Sequence, residues 1–136
     1  MKVFSNWGEF EAAKRKQSEK LKQLITLRVN EAGMIYTQTA RANAPHKFGH
    51  HARNIGSLPN NWHSVRLFAN AKYAPYLEFG TGGLVNIPKG WSRVASQFRG
   101  KGIKKINLPA RPHIIPAFNA AQKYLKRKLS QDIRKL

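Results

Sequence analysis

Between Ala32 and Gln131 the chain carries sixteen Lys and Arg side chains and a single acid, Glu78. Like charges at that density repel one another in any compact state, so the fold must spread them over a surface and leave them to solvent or to an anionic partner. The lone carboxylate sits in Tyr73-Ala74-Pro75-Tyr76-Leu77-Glu78-Phe79-Gly80-Thr81-Gly82, between aromatics and ahead of glycines. An acid so placed is expected to be held by a partner. Over all 136 residues the formal net charge is +19, which points to nucleic acid or an acidic protein surface as the neutralising partner.

Length and apolar content, 41%, allow one core, and a single domain over 1–136 is expected. The spacing of Trp7, Phe10, Ala13, Leu21, Leu24, Ile25, Val29, Ala32, Ile35 and Tyr36 predicts a long amphipathic helix from Trp7 to about Ala42. Asn6 or Ser5 would cap it, and Ala44-Pro45 would end it. The glycines, Pro59 and Asn60-Asn61 within 46–61 predict an irregular connection. Trp62–Ala69 and Tyr73–Phe79 read as two half-buried strands, with Glu78 and Tyr76 on one face and Leu77 and Phe79 on the other. A long basic loop follows, with Ile103–Leu108 expected to return to the sheet. Ala121, Leu125, Leu129 and Ile133 predict a closing helix over about Pro116–Lys135. The expected class is α+β: a long N-terminal helix, a small antiparallel sheet with a long basic loop, and a C-terminal helix.

The chain has no cysteine, so disulfides, thiolate metal sites and a cysteine nucleophile are excluded, and a reducing cytoplasm is expected. No signal peptide or apolar run of membrane-spanning length is read, so neither secretion by that route nor a membrane partner is expected. A single interior carboxylate among cations does not make an acid-base pair, so no enzyme and no catalytic residue is expected. His46, His50 and His51 form H-x-x-x-H-H, but Pro45 and Gly49 oppose the helix that would converge them on zinc. They are read as solvent-facing or anion-contacting, with no metal. Gly80-Thr81-Gly82-Gly83 lacks the lysine of a phosphate loop, so no nucleotide or other cofactor is expected. Arg111, between Pro109 and Pro112, is the expected bidentate partner of Glu78. Arg93, Arg99, Lys101, Lys104 and Lys105 are candidate contacts to an anionic partner.

Tyr73-Ala74 and Tyr76-Leu77-Glu78-Phe79-Gly80-Thr81, followed by Pro109-Ala110-Arg111-Pro112 at the start of the last helix, resemble the tail-component family of long-tailed double-stranded DNA bacteriophages. Ala44-Pro45, Gly49 and Ile55 are similar to an earlier stretch of that family, while Phe48, His51, Asn54 and His113 depart from its usual residues. The resemblance implies a virion structural protein of the neck, or head-tail connector, that completes the tail for head attachment and DNA passage. It implies a homo-oligomeric ring, commonly a hexamer, adjoining other connector, tail terminator or tail tube proteins, and assembled in the host bacterial cytoplasm. On that reading the basic loop faces phage DNA in the channel or an acidic face of an adjoining ring. The alternative left by charge alone is a free nucleic-acid-binding module.

Overall fold

The Asn6 side chain starts the longest element by accepting a hydrogen bond from the Glu9 N–H at 2.9 Å. This satisfies one of the amides left open at a helix start. A computed structural model describes residues 6–45, 49–81, 84–98 and 109–136. Helix α1 runs Trp7–Asn43, about 55 Å at 1.5 Å per residue, and ends where Ala44 turns extended ahead of Pro45.

The region expected to be irregular is ordered into a short helix α2, Gly49–Arg53, and a strand β1, Ile55–Asn61. Strand β1 pairs antiparallel with β2, Ser64–Ala69, in a register from Ile55 opposite Ala69 to Asn61 opposite Ser64. The segment Trp62–Ala69, expected to open the hairpin, instead closes it as β2. Pro59 is tolerated because a two-stranded sheet has only edges, and the register shifts between Pro59 and Asn61.

Tyr73–Phe79, expected as the second strand, contains helix α3, Ala74–Phe79. Pro75 explains the difference: it cannot donate to a ladder but fits the first turn of a helix. Gly80 ends α3 at φ 80 and ψ −174, a conformation that side-chain-bearing residues avoid. Helix α4, Ser92–Ala95, and a 3₁₀ turn, Ser96–Phe98, follow. The expected strand Ile103–Leu108 lies outside the described residues. Helix α5, Ile114–Arg134, closes the chain. The architecture is α+β: long helix, two-stranded antiparallel sheet, C-terminal helix.

Small residues set the packing. Ala32, Tyr36 and Ala40 of α1 meet Ala117 and Ala121 of α5, with Ile55 of β1 closing the cluster. Gly33 lets the sheet approach α1, since a Cβ there would lie 2.9 Å from Val65 Cγ2 and 3.1 Å from Ser57 Oγ. A second cluster joins Phe79, Ala95 and Ile115, with Ile87 and Trp91 against it.

Candidate functional site

Glu78 reaches the start of α5 because α3 ends there. Its carboxylate accepts from three consecutive backbone amides, those of His113 (2.8 Å), Ile114 (2.9 Å) and Ile115 (2.8 Å). Only 3% of the residue is exposed. The acid thus satisfies three open donors at the positive end of the helix dipole. The Arg111 N–H donates to the Leu77 carbonyl at 2.8 Å, so the two segments that carry the family resemblance are joined side by side.

The expected Glu78–Arg111 ion pair is corrected by this geometry. Arg111 contributes its main chain while its side chain is exposed, and the carboxylate is occupied by backbone amides, whose hydrogen bonds replace its hydration without a second buried charge. The expected shared face of Tyr76 and Glu78 is corrected too. On a helix Glu78 turns inward with Leu77 and Phe79, and Tyr76 is exposed.

Below the carboxylate lies a histidine pair, His51 on α2 and His113 preceding α5, both fully buried. The Arg111 carbonyl can only accept, so His113 Nδ1 carries a proton and donates to it at 2.7 Å; Glu78 Oε2 lies 3.3 Å from the same nitrogen. The two Nε2 atoms meet at 2.5 Å, and bonding between them requires one shared proton. Burial, followed by the proximity of His113, holds His51 below its ordinary value. The exposed reading of His51 is therefore corrected, whereas His46 and the side chain of His50 lie outside the described residues. Sequence reasoning missed His113, whose only signal is that a polar ring adjoins Pro112 just before an apolar helix. Among the described residues no group of three or more His, Asp or Glu side chains is placed to hold a metal ion.

The remaining motif residues support the same junction. Tyr73 is half-buried with its ring 5.6 Å from that of His51, Ala74 is buried, and Phe79 faces Trp91 at 6.5 Å. Gly80 is buried, Thr81 and Ala110 are half-buried, and Pro109 and Pro112 are exposed. Farther along α1 and α5, Arg28 holds Asp132 through two hydrogen bonds (2.7 and 3.1 Å) and Glu31 through one (2.9 Å). Tyr124 donates to Glu31 at 2.7 Å. The Arg28 hydrogen bond is the main cause holding the Asp132 carboxyl below the usual range, and for Glu31 the Tyr124 hydroxyl is first and Arg28 second.

The described surface is rich in cations. Lys14, Arg15, Lys16, Lys20 and Lys22 of α1, and Lys123, Lys126, Arg127, Arg134 and Lys135 of α5 or its end, are exposed. Arg93 is exposed on α4, while Arg99, Lys101, Lys104 and Lys105 lie outside the described residues. Large apolar side chains share this surface: Trp7 is 72% exposed, Met34 59% and Leu58 57%. No described helix is long and apolar enough to cross a membrane. Comparison with protein-family models, with curated proteins and with solved structures found no match to this chain.

Proposed function

We propose that this chain is a structural subunit of a bacteriophage neck or tail top, assembling into a homo-oligomeric ring that joins or completes the tail for head attachment and DNA passage. The observation that carries the reading is the distribution of apolar volume. Among the described residues, eight of the fourteen buried apolar residues are alanines, whereas Trp7, Phe10, Met34, Leu58 and Trp62 stay exposed. A subunit that keeps its large apolar groups outside gains their burial on assembly. The resemblance of the Tyr73–Thr81 and Pro109–Pro112 segments supplies the identity of the assembly. The Glu78 carboxylate is saturated by backbone amides, so no acid-base role is assigned to it.

The test is electron microscopy of particles made without this protein. Unjoined heads and tails are expected, and normal joined infectious particles would refute the reading. The row of exposed lysines on α1 favours a second reading, a free nucleic-acid-binding module. Monomeric protein with tight DNA affinity falling steeply with salt would favour it over the ring.

A further inference from the structure

Helix α1 reaches well past the rest of the described structure. Its pairing with α5 runs antiparallel, from Ala40 near Ala117 to Arg28 on Asp132, and the hairpin tip reaches it at Thr26, whose hydroxyl donates to the Trp62 carbonyl at 2.8 Å. Residues 14–20, before Leu21, are all exposed. An isolated helical arm is marginal in water unless one face is covered. At its tip Trp7 and Phe10 stand with ring centroids 5.3 Å apart, forming one aromatic knob. Residues Trp7 to Ala13 include Glu9 and Glu11 and no Lys or Arg, so this knob belongs to an acidic segment in a basic protein.

The structure also holds a matching recess. A groove of about 270 Å³ opens between α1, β2 and α5, lined by Val29, Val65, Leu67, Phe118 and Leu125. Lys123 and Lys126 are exposed beside it on α5. The acids on the flanking helices, Glu31 and Asp132, are both engaged by Arg28. Val29 follows Trp7 by 22 residues of the same helix, roughly 33 Å, so a chain cannot fill its own groove.

We infer that the Trp7–Phe10 knob of one copy seats in the Val29–Leu67–Phe118 groove of the next, with Glu9 and Glu11 toward Lys123 and Lys126. Knob and hole occupy different surfaces of one molecule, so the contact is head-to-tail and closes into a ring when its rotation permits. This inference rests on the ring reading and specifies its interface. A tryptophan anchored in an apolar recess is the kind of residue that dominates such contacts.

Because the chain has no cysteine, a bismaleimide linker joins only introduced positions. Lys14→Cys with Gln122→Cys in one full-length chain should give a ladder of multimers, while an equal mixture of the two single variants should stop at dimers. Adding Trp7→Ala and Phe10→Ala should weaken association by roughly 30-fold or more. Phe118→Glu, at an already exposed position, should do the same by placing an acid in the hole. A ladder indifferent to these changes, or a wild-type ring by native mass measurement with no ladder, overturns the docking and leaves the ring reading standing. A ladder confined to dimers in the double-cysteine chain overturns the head-to-tail form. A wild type that is monomeric, together with a double-cysteine chain that stays uncrosslinked both in solution and on assembled particles, overturns docking and ring together.

Discussion

The junction at Glu78 and the tip of α1 invert the usual placement of residue types. At the junction a carboxylate and two imidazoles are buried, while at the tip a tryptophan and a phenylalanine remain in water. The carboxylate can be inside because three amides replace its hydration, and the histidines because each ring is bonded to the other and His113 to a carbonyl. The aromatics at the tip remain exposed, Trp7 at 72% and Phe10 at 38%. The junction satisfies the Glu78 carboxylate and pairs the two Nε2 atoms within one chain, leaving the buried His51 Nδ1 without a hydrogen bond among the described residues. The tip leaves its Trp7 ring largely in water, where the proposed assembly would cover it.

That contrast breaks most sharply at Glu78. Glu78→Ala leaves three helix-start amides without their acceptor, and a loss of roughly 3–5 kcal/mol is expected from denaturant or thermal unfolding. Glu78→Gln, which keeps one acceptor oxygen, should lose roughly half of that. A loss under about 1 kcal/mol for the alanine variant would mean that water or another group serves the helix start equally well.

Acid should then separate the two regions. The unfolded chain holds His51 at its ordinary value near 6.5, whereas the folded chain holds it lower. Between those values the unfolded state binds more protons, so stability is full above about 6.5 and falls as pH drops below it. Asp132 and Glu31, also depressed from 3.8 and 4.5, stabilise above those values and lose that contribution as pH falls through their folded values. Chemical denaturation at pH 7.5 and 5.5 checks this, and His51→Phe should flatten the slope. An unchanged midpoint in the wild type would refute the buried neutral histidine.

At the tip the expected stability effects are small. Trp7→Ala should change unfolding free energy by no more than about 0.5 kcal/mol, because the side chain is 72% exposed, while reducing association. A large loss of monomer stability would place the knob inside the fold. Smallest of all, changing Arg93, Arg99, Lys101, Lys104 and Lys105 to Gln should leave the melting temperature nearly unmoved while weakening particle assembly or DNA retention. Unaltered particle yield and infectivity would remove these cations from any partner contact.

Sequence alone determined the two long helices, because a 3.6-residue apolar period over five or more turns overrides local detail, and it bounded the first between Ser5 or Asn6 and Pro45, a choice the structure made for Asn6. It also singled out Glu78 and its link to the segment before α5, because one acid in a hundred residues has to be accounted for. Only the tertiary structure decided which donors hold it. Arg111 and the α5 amides were both within plausible reach, and backbone amides prevail because the helix dipole and three open N–H groups converge on one point. The strand read over Trp62–Ala69 held as β2, whereas the one read over Tyr73–Phe79 failed for a related reason. Over six or seven residues the helical and strand periods overlap, and Pro75 and the hairpin partner, not alternation, determine the outcome. The buried His51–His113 pair was beyond sequence reach altogether, since 62 residues separate two rings that only the docking of α5 against α2 brings together.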